Sequence, residues 1–208
     1  MKPLYSILSI GMILSLSSCV QPGKKTDEGQ IRGREYTSKE IGWTMTIPEG
    51  WNAIDLENTQ ESAQRGKKVI EKSINMEIDD SRVKNLISFQ KNELSIFQSS
   101  SEPFKLEYEG EWEVNSNAMK VLLYNAYENR GRTDSSATTI EKIDGLDFHV
   151  YSFTLYSPKG DAIMTQIIYR RLINGLSLNV SINYINENEK DKNEMLKAFR
   201  ASRFTQRS

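Results

Sequence analysis

The sequence predicts an α+β fold: an antiparallel β-sheet flanked by helices on both faces. The first observation is residues 138–184, TTIEKIDGLDFHVYSFTLYSPKGDAIMTQIIYRRLINGLSLNVSINY, which read as three consecutive antiparallel strands joined by two turns. One turn is Ser157-Pro158-Lys159-Gly160-Asp161. The other is Asn174-Gly175, the pair favoured in a two-residue type I′ hairpin because both central residues need positive φ. The second observation is how these strands alternate. In the last of them Leu176, Leu178, Val180, Ile182 and Tyr184 share one side, and Ser177, Asn179, Ser181 and Asn183 share the other. The two strands before it are apolar on both sides: Phe148 and Val150 alternate with Tyr151, Phe153 and Leu155, and Ile163 and Ile167 alternate with Met164 and Ile168. Such strands need cover on both faces, and the amphipathic stretches elsewhere in the chain supply helices to provide it.

In chain order, residues 1–18 read as a leader: Lys2, an apolar run over residues 4–16 too short to span a bilayer, then Leu16-Ser17-Ser18-Cys19. Leu-Ser-Ser-Cys resembles the bacterial lipobox. The resemblance implies that Cys19 is acylated and becomes the first residue of the mature protein. Two or three acyl chains are enough for stable tethering without a membrane span. Val20 follows where an Asp would signal inner-membrane retention, so the expected address is the cell envelope, with the outer membrane favoured in a Gram-negative cell. Residues 19–35 (CVQPGKKTDEGQIRGRE) are rich in Gly and charge and read as a flexible tether. Residues 36–206 are expected to form a single domain.

That domain opens with Trp43, Met45 and Ile47 alternating with Thr44 and Thr46, a strand that Pro48 stops and Glu49-Gly50 turns. The phrase IGWTMTIPEGW is similar to the opening strand and Pro-Gly-Trp turn of PsbP-like domains. Those domains occur in the extrinsic photosystem subunit PsbP, in a Ran-binding nuclear import factor and in many bacterial lipoproteins. The resemblance covers the element order from Tyr36 to Phe204 and implies an α/β/α sandwich that binds other proteins. It implies no catalytic or ligand residues.

Further along, a helix is expected over 59–75, capped by Asn58 or Thr59, with Ala63, Gly66, Val69, Ile70 and Ile74 near helical spacing. Asp79-Asp80-Ser81 is a turn. Leu86-Ile87-Ser88-Phe89 and Leu94-Ser95-Ile96-Phe97 form a hairpin around Lys91-Asn92-Glu93, and 99–103 is loop. A second helix is expected over 116–130, with Met119, Leu122, Leu123, Ala126 and Tyr127 on one face and Gly131 as its C′ residue. A third runs over 189–200, capped by Asn188, with Met195, Leu196 and Phe199 inward. A short strand, Ala201-Ser202-Arg203-Phe204, closes the order β, α, ββ, α, βββ, α.

Composition narrows the function classes. The 208 residues carry a formal net charge of −1, and loss of Lys2 with the leader leaves 26 basic against 28 acidic side chains. That balance argues against a nucleic-acid partner. The sole Cys rules out an internal disulfide, and with a single His it leaves too few ligands for a zinc site. No cofactor or metal is expected.

His149 shares a strand face with Asp147 and Tyr151 and has the chemistry of a general base, yet it has no nucleophile motif or second His beside it, so a structural role is the better reading. Glu107, Glu109, Glu111 and Glu113 alternate with other residues. If extended, successive members of a face lie about 6.6 Å apart, so one ion would bridge two at most. A solvated acidic face fits better, its last members near the positive end of the following helix. Gly175-Leu176-Ser177 begins like a nucleophile elbow but lacks the second Gly and the strand-to-helix turn. Arg130-Gly131-Arg132-Thr133-Asp134 reads as a cationic helix end rather than an anion site. Trp43 and Trp51 read as core; the sequence does not place Trp112.

The leading expectation is a non-catalytic, membrane-anchored module that binds an envelope protein or assists assembly. One alternative is an envelope hydrolase in which Asp147 or Glu141 acts beside His149. Another is a carrier for a small apolar ligand, which requires an apolar cavity of several hundred cubic ångströms.

Overall fold

The structure is a computed structural model that describes residues 26–129, 131–185 and 188–205. The leader, Cys19 and the first part of the expected tether lie outside the described residues, as do Arg130 and residue 206. The chain opens with β1 (Gln30–Arg32), β2 (Glu35–Ser38) and β3 (Trp43–Thr46), then passes through β4 (Asn52–Ala53) into α1 (Leu56–Ile74). Next come β5 (Lys84–Asn92), β6 (Ser95–Pro103) and α2 (Glu111–Glu128). After β7 (Thr133–Ser135), a run of long strands follows: β8 (Thr139–Ile143), β9 (Leu146–Tyr156), β10 (Ala162–Ile173) and β11 (Leu176–Tyr184). The helix α3 (Glu189–Arg200) and β12 (Arg203–Phe204) close the fold.

An eight-stranded antiparallel sheet runs β4-β5-β6-β11-β10-β9-β7, with β8 pairing on β9 as well; β1-β2-β3-β12 forms a separate four-stranded sheet. The expected α+β fold is the one observed. One face of the large sheet presents Phe89, Phe97, Phe148, Tyr169, Val180 and Ile182, all buried, and α3 and the small sheet cover it. Trp43 sits at the centre of this layer, edge-on to Tyr36 at 5.4 Å and Phe199 at 6.0 Å and stacked on Phe204 at 5.9 Å. Aromatic side chains of this size dominate core energetics, which is why the phrase IGWTMTIPEGW forms a strand packed inward rather than a surface loop. The other face presents Tyr151, Phe153 and Ile168 to Leu123, Tyr124 and Tyr127 of α2, while α1 packs against α2 and β5.

Several boundaries differ from the sequence expectation. Residues 26–35 belong to the folded domain rather than to a tether: Ile31 is buried in β1, and Asp27 accepts hydrogen bonds from the backbone N–H and side chain of Asn85 at 2.8 and 2.9 Å. One buried Ile and a few backbone pairings outweigh a composition that is otherwise polar. Residues 138–184 form four strands, because Asp144 and Gly145 both adopt positive φ and make a β8–β9 hairpin turn like that of Asn174-Gly175. Residues 99–103 extend β6 alongside β11 and do not form a loop.

The helix α1 starts at Leu56, because the Asp55 carboxylate accepts from the Asn58 N–H at 3.0 Å and caps it. The helix α2 starts at Glu111, not 116. Gly110 in the left-handed region turns the chain, and the Glu111 carboxylate reaches back to the Glu107 N–H at 2.6 Å. Asn188 caps α3 as expected. The polar side of β11 is also covered, with Ser177 and Ser181 buried beneath the helices.

Candidate functional site

The residues proposed for acid–base chemistry are split between the two faces of the large sheet. Ile140 pairs with His149 and Glu141 with Phe148, so Glu141 turns toward the aromatic core, where it accepts from Tyr169 Oη at 2.9 Å and Arg200 Nε at 2.6 Å. Burial raises the Glu141 pKa, but the Arg200 and Tyr169 hydrogen bonds outweigh it and hold the carboxyl below its ordinary value. Asp147 stays on the His149 face, where Lys142 at 2.6 Å lowers its pKa and Arg171 donates to its backbone carbonyl. His149 is half-buried, and no hydrogen bond joins it to either carboxylate among the described residues.

The acidic run is divided too. Glu107 and Glu109 lie ahead of α2, while Glu111 and Glu113 lie in its first turn, where the positive helix end favours them. No group of three or more His, Cys, Asp or Glu side chains converges on a metal position among the described residues. Ser177 is buried in β11, and its hydroxyl accepts from Arg170 at 3.4 Å, so it is not presented as a nucleophile. Arg132 lies over the Tyr156 ring at 4.9 Å, and Thr133 and Asp134 belong to β7. Trp43 is fully buried, and Trp51 donates its indole N–H to Glu194 at 2.8 Å.

Trp112 turns out to mark a polar cluster that the sequence did not announce. It lies in the first turn of α2, edge-on to Phe104 at 5.6 Å and over the Arg170 guanidinium at 4.9 Å. Arg170 comes from β10, directly across from His149 on β9 and Asn179 on β11, and is only 3% exposed. Its Nη2 donates to Asn115 Oδ1 and to Ser177 Oγ, each at 3.4 Å. Burial pushes its pKa down. Beside it Tyr151 is 2% exposed, and burial pushes the phenol pKa up against the opposing pull of Arg170. The only available signal was a charged residue placed mid-strand in a segment otherwise apolar on both sides.

Further along the same face, Tyr127 Oη donates to Gln166 at 2.8 Å, and Gln166 donates to Ser181 Oγ at 2.7 Å. Above Gln166 a groove of about 460 Å³ runs between α1 and α2, lined by Val69, Ile70, Leu123, Ala126 and Tyr127.

The fold, though not the residues of the cluster, has a solved counterpart. The solution structure of cyanobacterial PsbP (CyanoP) from Synechocystis sp. PCC 6803 superposes with a TM-score of 0.52 at 8% identity, over 82% of this chain and 91% of that one. The fold is PsbP-like. A crystal structure of a Bacteroides thetaiotaomicron VPI-5482 protein aligns with a TM-score of 0.45 at 12% identity; the alignment covers 86% of this chain and half of that one. The sequence matches no family model and no curated protein. In this PsbP-like frame the aromatic layer lies under α3 and the small sheet, and the Arg170 cluster lies under α2. No described helix is long and apolar enough to cross a membrane.

Proposed function

We propose that this protein is a non-catalytic binding or assembly-accessory module of the cell envelope, tethered to its membrane by lipid on Cys19, with an envelope protein as its partner. The anchoring part rests on Leu16-Ser17-Ser18-Cys19, where the chain's sole Cys sits. The non-catalytic part rests on one observation: the two carboxylates that would serve His149 are each engaged elsewhere, Glu141 with Tyr169 and Arg200 and Asp147 with Lys142. A general base must lie within hydrogen-bond reach of its orienting group and of the proton it takes.

The test combines maturation with partner capture. Cys19→Ser is expected to leave uncleaved precursor. The wild-type protein should fractionate with membranes and crosslink in intact cells to a reproducible envelope protein. A native mature form with an unmodified thiol at Cys19, or one starting elsewhere, overturns the anchor; the absence of any reproducible crosslink overturns the accessory role.

The groove between α1 and α2 supports a second reading, a carrier for a small apolar ligand, since its volume is in the range of ligand pockets. Saturable binding of an apolar fluorescent probe, weakened by Leu123→Asn, is the expected result. Non-saturable signal unaffected by that change removes the reading.

A further inference from the structure

The Arg170 cluster has more donors than acceptors. The guanidinium is buried, yet among the described residues no carboxylate hydrogen-bonds to it; the carboxylate whose field it feels is Glu102. By hydrogen-bond geometry its Nη1 is buried without a partner, and so is the Tyr151 hydroxyl, although the two lie close enough for Arg170 to pull the phenol pKa down and for Tyr151 to pull that of Arg170 up. Tyr151 pairs with Ile168, two residues from Arg170 on the neighbouring strand, so the two side chains are diagonal neighbours on one sheet face. Letting them bond to each other does not balance the site. If the phenol oxygen accepts from Nη1, its own O–H still lacks an acceptor, and the positive charge is offset only through space by Glu102. Burying a charge without a counter-charge is expensive.

The positive end of the nearby helix also faces the site, offset in part by Glu111 and Glu113 in its first turn. Both Trp112 and Asn115, which touch the guanidinium, belong to the first turns of α2, and the Gly110 N-cap supplies no side-chain acceptor to its free N–H groups. Of the other groups around the cluster, His149 and Asn179 bring no negative charge, Lys120 lies over the Tyr151 ring at 5.4 Å, and Glu102, across from Ser177, is the one nearby carboxylate among the described residues of the sheet.

We propose that Arg170 Nη1 and the Tyr151 hydroxyl, beneath the first turn of α2, form a binding site for one small monoanion, either the carboxylate of a small ligand or an inorganic ion of similar size. A guanidinium fork suits such an acceptor, and charge-assisted hydrogen bonds of this kind are the stronger class.

The test is a thermal melt of the full mature chain in sodium formate and, separately, sodium chloride, with ionic strength held constant by a bulky sulfonate salt. A ligand that binds only the folded state raises the melting temperature with the logarithm of its concentration. Wild type is expected to show this rise. Tyr151→Phe, which removes one donor and little volume, is expected to need about tenfold more anion for the same shift, the factor that separates bonds differing by about 1.4 kcal/mol. Arg170→Met is expected to show no anion-specific rise. A stronger response to formate identifies a carboxylate ligand; a stronger response to chloride identifies an inorganic one. A flat wild-type response, or an equal slope in Arg170→Met, overturns the site. If Arg170→Met does not fold, crystals of wild type grown in sodium bromide decide it. An anomalous peak within about 3.5 Å of Nη1 supports the site, and a water refined there without anomalous signal overturns it.

Discussion

Ile31 lies directly opposite Tyr36 across the β1–β2 pair, and both side chains are buried. The Tyr36 hydroxyl also donates to the Glu28 carbonyl at 3.1 Å, so the segment ahead of β2 is held by both ends of this tyrosine. Deletion of residues 26–35 is therefore expected to lower the melting temperature clearly. Ile31→Ala alone should cost about 2 to 5 kcal/mol in urea unfolding, as for other large-to-small core changes. A truncated domain as stable as the full one would show that β1 contributes nothing.

Gly42 and Gly175 both sit at positive φ but differ in surroundings. A Cβ on Gly175 meets no neighbour, whereas one on Gly42 would lie 2.2 Å from the Thr205 carbonyl oxygen. Gly175→Val is expected to cost about 1 to 3 kcal/mol from backbone strain alone. Gly42→Ala should cost more than Gly175→Ala, because it must also push β12 away. Equal melting temperatures for the two Ala variants would contradict the contact.

Asp191 is buried at the start of α3 and accepts from Lys91 Nζ at 2.8 Å, Ser95 Oγ at 2.9 Å and Asn188 Nδ2 at 2.6 Å. Burial raises its pKa, but Lys91 and Ser95 bring it below the ordinary value of 3.8. A carboxyl depressed on folding contributes fully above its unfolded pKa and loses that contribution as pH falls through the lower folded value. Asp191→Asn should thus cost about 2 kcal/mol at pH 7. It should also flatten the decline of the melting temperature below about pH 4. An unchanged acid limb would show that other carboxylates set it.

His149→Gln is expected to leave the cellular phenotype intact at normal abundance and to change stability by about 1 kcal/mol or less, since the ring is only half-buried and is joined to neither Glu141 nor Asp147 by a hydrogen bond among the described residues. A deletion strain complemented with each variant and scored for phenotype and protein level checks it. Null-like function at normal abundance would restore the hydrolase reading. General-base removal typically costs about 10² to 10⁴ in rate.

Much of the fold was legible because local rules and tertiary packing agree in its longest elements. Asn174-Gly175 specifies its turn chemically, and Asn188 caps α3 as its side chain allows. Asp144-Gly145 carries the same kind of signal, but the short β8 before it looked like the start of one longer strand. The α2 boundary was hidden because Glu107, Glu109, Glu111 and Glu113 alternate like a strand, while Gly110 and the Glu111 side chain set the helix start. For the site, His149 and the carboxylates near it could be weighed from the sequence, whereas Arg170 was passed over. Its importance lies in what fails to meet it, and a buried Nη1 without a partner is visible only once β9, β10 and α2 are brought together.

The small sheet gathers β1, β2 and β3 from the start of the domain and β12 from its finish, and Phe204 stacks on Trp43 only when β12 docks. During synthesis, then, the aromatic layer stays open on this side until all the other described elements have been made. Contacts this distant in sequence form late, and incomplete chains expose apolar surface that chaperones and proteases recognise. A chain cut short before Phe204 keeps Tyr36, Phe97 and Phe199 against Trp43 but loses the ring stacked on it, so the aromatic layer is left open along that one edge.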